Sequence, residues 1–233
     1  MMKLVTFPPS FGLPSSSPFG MKAICFMNMA GVDWEWSRKA DPRKAPKGKL
    51  PLLIDGGARI PDSEDIRAYL EQKTGLDFDA GLNDEQRAIS RAVIRMCDEH
   101  LYFVLVCERW LNDANWEIVR ETFFGMIPRP LRGFVTGKIR KKVRDDMYAQ
   151  GIGRHSPEER MARADKDIGA IATLIGEKRF LFGDAPSAAD ASAGPMLASI
   201  AALPTESALR ARVAEDAPLM AYLDRVRAAL YPD

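Results

Sequence analysis

The chain of 233 residues is 46% hydrophobic and carries 33 lysines and arginines against 32 aspartates and glutamates. That length and apolar content fit one large domain or two modest ones, and a net charge of +1 provides no global field to gather nucleic acid or an acidic surface. Three cysteines, Cys25, Cys97 and Cys107, stand far apart without CxxC or metal-ligand spacing, which argues against a disulfide framework and a structural metal site and fits a reducing compartment.

The opening "MMKLVTFPP" has one lysine and no apolar leader core, and no stretch approaches the roughly 18 uninterrupted apolar residues of a membrane span. A soluble cytoplasmic protein is expected. Within that opening, "KLVTF" (3–7) reads as a strand ended by Pro8-Pro9. After a loop, Pro18 takes a first helical position, Met21, Ile24, Cys25 and Met29 form an apolar stripe closed near Gly31, and Ser17 is the N-cap. "VDWEW" (32–36) alternates as a half-buried strand does, and the basic loop "SRKADPRKAPKGK" follows it. "LPLLID" and "ARIPD" flank Gly56-Gly57, a hairpin signal, and Asp62-Ser63 opens the helix "SEDIRAYLEQKTG", with Ser63 as its capping hydroxyl and Gly75 as its stop. Residues 1–76 therefore read β-α-β-loop-β-β-α.

Past a linker at 77–82 the strand signals vanish, and 83–233 reads as all helical. Asn83 and Gln86 form a capping-box pair, and Ile89, Val93, Met96, His100, Val104, Cys107 and Leu111 continue one face for about eight turns. His100 and His155 have no carboxylate or cysteine at ligand spacing and read as structural. Residues 129–144, "RPLRGFVTGKIRKKVR", carry seven basic side chains and no acid. Leu131, Val135, Ile139 and Val143 recur there at four-residue steps, so a solvated basic face over a buried apolar stripe is expected, without membrane association. Ser156-Pro157-Glu158-Glu159 is a second capping box starting a helix that ends near Gly176, and "PSAADASAGPMLASIAAL" and "APLMAYLDRVRAAL" supply two more helices.

This order of elements, together with "SSSPFGMKAICFMNMAG", "GKLPLLIDGGARIPDSEDIRAYLE" and "FLFGDAPSAADASAGPMLASI", resembles a cytosolic glutathione transferase. The stretches "DAGLNDEQRAISRAVIRMCDEHLYFVLVCERWLNDANW" and "YAQGIGRHSPEER" resemble more narrowly the failed-axon-connections, metaxin-related branch. The resemblance implies a thioredoxin-like α/β domain followed by an all-α domain, glutathione as cosubstrate, a small hydrophobic electrophile as second substrate, a detoxifying transfer, and a two-fold homodimer whose face the insert at 115–150 covers or extends. Its runner-up implication, favoured by the metaxin-related branch, is a glutathione-binding or scaffold protein of the same fold without turnover.

For the site, the resemblance implies that the main chain of Leu50, before a cis bond to Pro51, pairs with the cysteinyl part of glutathione. Lys49 meets the glycyl carboxylate, with Lys47, Lys44 or Arg43 as substitutes. Ser63 heads a helix whose free N–H groups and dipole suit the γ-glutamyl carboxylate, and Asp62 suits its ammonium. Phe19 belongs to the same glutathione-binding set. Ser17 is the expected donor to the sulfur, with Ser16 and Ser15 as rivals, since donors at a helix start favour a thiolate. Redox relatives of this domain resemble Cys-Pro-x-Cys; here Ser17 and Gly20 fill both sulfur positions, which disfavours a thiol-exchange mechanism. Cys25, about two turns into the helix, reads as core. The second-substrate pocket is expected to involve Phe11, Leu13, Tyr102, Arg109 and Trp110.

Overall fold

In a computed structural model, which describes residues 1–37 and 40–231, strands β1 (Met2–Val5), β2 (Trp34–Ser37), β3 (Leu52–Asp55) and β4 (Ala58–Pro61) form one sheet in the order β2-β1-β3-β4. β1 and β2 run parallel, as their crossover through a helix requires, and the other pairs are antiparallel. Arg38 and Lys39 of the predicted basic loop, and Pro232 and Asp233, lie outside the described residues. β1 stops at Val5 rather than Phe7 because Val5 faces Leu52. The next partner is Pro51, which has no N–H to extend the ladder. β2 begins at Trp34 rather than Val32 because its ladder with β1 starts at Met2.

The crossover helix α1 (Pro18–Met29) has nine of its twelve residues buried. Its apolar stripe accounts for one buried face, beside α2 (Ser63–Thr74) of the same half; the helical half of the protein covers the other, since α1 also packs on α8 (Ala188–Ala201) and α10 (Ala217–Leu230). Gly20 is required by close approach: a Cβ there would lie 1.9 Å from Thr6 Oγ1 and 2.5 Å from Ser15 Oγ. α2 is capped by Asp62, not Ser63; the Asp62 carboxylate accepts from Glu64 N–H at 2.9 Å, and Ser63 is the first helical residue.

The helical half contains α3 (Asp84–Met96), α4 (Tyr102–Leu111), α5 (Asp113–Phe124), α6 (Arg129–Gln150), α7 (Pro157–Ile175), α8, α9 (Ala208–Ala214) and α10. Capping boxes at Asn83/Gln86 and Ser156/Glu159 start α3 and α7. Between α3 and α4, Cys97–Leu101 is π-helical. The buried face lies about one position on from the expected one: Ser90, Ile94, Cys97, Leu101 and Leu105 are buried with Val93, Val104 and Cys107, while Ile89, Met96, His100 and Leu111 of the expected face are half-buried. His100 bonds to Asp167 of α7, a partner that sequence spacing does not reveal.

In α6 the expected stripe winds off the contact face. Steps of four residues drift by about 40° each, so Leu131 is 57% exposed and the deepest positions are Thr136 and Met147. Phe134 is also exposed, beneath the Lys138 ammonium. Arg140, by contrast, is drawn inward, donating to the Trp110 and Leu111 carbonyls at the end of α4.

Residues 77–82 are packed rather than free. Phe78 stacks on Phe26 of α1 at 5.5 Å between ring centroids. Asp79 accepts from Arg67, Ser90 and the Ala188 N–H at the start of α8.

The two halves are also joined through Lys22 of α1, whose ammonium is 2.7 Å from Asp98 in the π-helical segment and 2.8 Å from Glu64 of α2. Burial pushes the Asp98 carboxyl up against the pull of Lys22. Burial also raises Glu64, but Lys22, Arg67 and Arg95 outweigh it and hold that carboxyl below its ordinary value. Lys22→Met removes the shared buried cation and leaves Asp98 and Glu64 with only the outer arginines Arg95 and Arg91. Urea unfolding should show a loss of about 3–5 kcal/mol.

Candidate active site

The three serines ahead of α1 face different environments. Ser15 is fully buried; its hydroxyl bonds Thr6 Oγ1 at 3.0 Å and accepts from the Ser17 N–H at 3.2 Å. Ser16 uses its main chain, donating its N–H to Pro8 and offering its carbonyl to an Arg109 N–H at 2.9 Å. The Ser17 hydroxyl accepts from the Gly20 N–H at 3.4 Å, at the start of a helix with no acid in its first turn. The positive end of the α1 dipole is therefore uncompensated by the chain itself. Two residues further on, Phe19 packs edge-on against Tyr102 of α4, with ring centroids 4.6 Å apart.

A second group gathers at the start of α2. The Leu50–Pro51 bond is cis, Leu50 is buried, and the Pro51 carbonyl accepts from the Asp62 N–H at 3.3 Å. Asp62 holds φ +75° at the turn into α2, which brings Ser63 to the helix N-terminus. Lys49 is exposed and makes no ion pair with the described residues, whereas Lys47 pairs with Asp65 and Arg43 with Asp41.

Beside Ser16 and Ser17 opens a cavity of about 510 Å³ between the N-terminal loop and helices α4, α5 and α6. Of the expected second-substrate residues, Tyr102, Arg109 and Trp110 line it. Phe11 stands behind the wall, its ring 5.8 Å from that of Phe123. Leu13 does not join them; it borders a separate groove of about 690 Å³ formed with α8 and α10. Sequence reasoning missed Phe123, Phe124 and Met126 on the cavity wall. The aromatic pair in "ETFFGM" was the available signal, but nothing local says which way that turn faces.

Among the described residues no three or more His, Cys, Asp or Glu side chains are grouped to hold a metal ion. The cysteines are free and buried. Burial pushes the Cys25 and Cys97 thiols far above the ordinary thiol value, so neither is a ready nucleophile.

The sequence matches the glutathione S-transferase N-terminal domain over residues 18–115 and the glutathione S-transferase C-terminal domain over residues 164–226. It is 30% identical over 233 residues to the isoprene-epoxide glutathione S-transferase of Rhodococcus sp. (strain AD45), covering 97% of this chain and 98% of that one. The chain belongs to the glutathione S-transferase family.

It is also 28% identical over 233 residues to failed axon connections of Drosophila melanogaster, covering 95% of this chain and 56% of that one. Metaxin-1 of Macaca fascicularis is 26% identical over 200 residues, covering 82% of this chain and 62% of that one. The chain thus spans little more than half of those two relatives. Among solved structures, a glutathione S-transferase from Rhodospirillum rubrum F11 shares the fold with a TM-score of 0.61 at 17% identity, over 98% of this chain and 88% of that one.

Members of the family use glutathione as cosubstrate, and in this member the loop carrying Ser17 is pinned from both sides. Ser15 holds it to the sheet through Thr6, and Arg109 holds it to α4. Ser15→Ala leaves the buried Thr6 hydroxyl and the Ser17 N–H without that partner. A loss of about 1–3 kcal/mol in unfolding free energy is expected, read from the shift of the urea midpoint.

Proposed function

We propose that the chain is a catalytically active glutathione transferase in which the Ser17 hydroxyl donates to the glutathione sulfur. The thiolate so favoured then attacks a small apolar electrophile held in the 510 Å³ cavity. The observation that carries this reading is the position of Ser17, which is at once the N-cap of a buried helix with an acid-free first turn and part of the cavity wall. Sulfur forms a bond to the electrophilic carbon, that carbon's bond to its leaving group or ring oxygen breaks, and the electron pair departs with the leaving atom. The protein supplies charge stabilisation and proximity, with no covalent enzyme intermediate.

The remaining contacts follow from charge. The γ-glutamyl carboxylate suits the Ser63 hydroxyl and the N-terminus of α2, and its ammonium suits Asp62. The Leu50 main chain suits the cysteinyl unit, and unpaired Lys49 suits the glycyl carboxylate. Phe19 borders the cysteinyl unit between α1 and α4. The relative named for an isoprene epoxide supports an epoxide as the electrophile, and the mainly aromatic and aliphatic wall supports an apolar body. A two-fold homodimer in the cytoplasm, with a detoxifying role, completes the reading; three free cysteines support the reducing compartment.

Ser17→Ala should lower kcat for conjugation of a small epoxide about 100-fold while calorimetry finds glutathione affinity within about twofold of the parent. Unchanged conjugation would remove Ser17 from the reaction. Ser63→Ala should instead weaken glutathione binding by about tenfold or more, through loss of a hydrogen bond to a charged group. The second reading, a glutathione-binding scaffold, is favoured by the relatives failed axon connections and metaxin-1. Tight glutathione binding with no conjugation of epoxide, aryl halide or isothiocyanate would select it.

A further inference from the structure

Among the described residues two cations are buried, Lys22 at 1% exposure and Arg109 at 5%. Lys22 lies between two carboxylates. Arg109 has none. Its terminal N–H groups donate to the Ser16 carbonyl at 2.9 Å and the Ser199 carbonyl at 3.3 Å, and its Nε–H has no partner. Removing a guanidinium from water without an opposing charge is costly, so such a group is normally paired. Burial pulls Arg109 down to about 10, which still leaves it charged at neutral pH.

The setting points to what is missing. Arg109 and Tyr102 lie seven residues apart, two turns along one face of α4, and both line the cavity that also carries Ser17. Among the described residues on that wall, Arg109 is the one charged side chain and Tyr102 the one other titratable group; no acid faces them. The Tyr102 hydroxyl makes no hydrogen bond with a described residue, and burial pushes its phenol up, so it stays a neutral donor. An apolar chamber with one unneutralised cation and one free hydroxyl is matched by an apolar molecule with oxygen that gains negative charge.

We infer that Arg109, assisted by Tyr102, holds the oxygen of the second substrate as negative charge develops on it during attack by the thiolate. This rests on the reading of Ser17 given above. For an epoxide, the sulfur–carbon bond forms, the carbon–oxygen bond breaks, and the electron pair settles on the oxygen. Arg109 N–H and Tyr102 O–H donate to that oxygen, and the proton lost when the glutathione thiol ionised returns to it through water.

The test compares a small terminal epoxide with an alkyl iodide of similar size, whose leaving halide is a poor hydrogen-bond acceptor. For the parent, Arg109→Gln, Arg109→Lys and Tyr102→Phe, kcat/KM is measured with both electrophiles, and the glutathione Kd is measured by calorimetry. The epoxide-to-iodide ratio should fall about 100-fold in Arg109→Gln, and by about tenfold in Arg109→Lys and in Tyr102→Phe. A ratio unchanged in all three variants would overturn the inference and leave Arg109 as a brace for the Ser16 carbonyl. A parent that binds no glutathione, or conjugates neither electrophile, would overturn the underlying reading and this inference with it; the parent measurements separate that failure from the first.

Discussion

The Lys22 ammonium is the point on which the arrangement of the two halves turns. It belongs to the crossover helix of the α/β half, yet its carboxylates come from α2 of that half and from the π-helical segment of the other. Electrostatic attraction in a buried setting is strong only while the geometry holds, and loss of one partner exposes the desolvation cost of the rest. The ion cluster therefore fixes α1 against both halves at once. Asn28 repeats the tie at the far end of the helix, donating to the Leu230 carbonyl of α10 at 2.8 Å.

A helix immobilised along its length presents its N-terminus at a defined place, and that N-terminus carries Ser17. The chain leading into it is equally constrained. Gly20 allows Thr6 and Ser15 to approach the helix more closely than any Cβ would permit. The Thr6–Ser15 hydrogen bond occupies the hydroxyl that would otherwise compete with Ser17 for a ligand. Arg109 holds the intervening carbonyl from the helical half. The cavity beside Ser17 is thus an interdomain feature, with its N-cap supplied by one half and most of its wall by the other.

Local signals were legible in the sequence because their physics is local. The capping boxes at Asn83/Gln86 and Ser156/Glu159 are satisfied within four residues, and the hairpin at Gly56-Gly57 needs the positive φ of +56° that Gly56 adopts. The resemblance carried what spacing does not, such as the cis bond between Leu50 and Pro51. Signals failed where the partner is distant or the register shifts. Lys22 and Asp98 are 76 residues apart, and His100 and Asp167 are 67 apart. The buried face of α3 lies one position on from the expected one because the helical half, not the local period, decides which positions are covered, and the short helix α9 has too few residues to show a period. In the candidate site, Tyr102, Arg109 and Trp110 could be placed on one helix by spacing, but the part of the wall from α5 and the turn into α6 depends on how those elements fold back.

The treatment of buried charge separates structural groups from the one that faces the cavity. Among the described residues Lys22, Asp79, Asp98, Arg109 and Asp190 are the buried charged side chains. Asp79 meets Arg67, and Asp98 meets Lys22 and Arg95. Asp190 lacks a cation but receives hydrogen bonds from the Leu181 and Ser187 N–H groups and from the Ser187 and Tyr222 hydroxyls, all at 2.8 to 2.9 Å. Four of the five are therefore neutralised or fully solvated by protein dipoles, as a stable interior requires. Arg109 alone combines a full charge, two neutral carbonyl partners and an unpaired Nε–H, and it does so on the wall beside Ser17. A fold that satisfies its other buried charges so thoroughly leaves this one open in the place where a reacting molecule would bring the balancing charge.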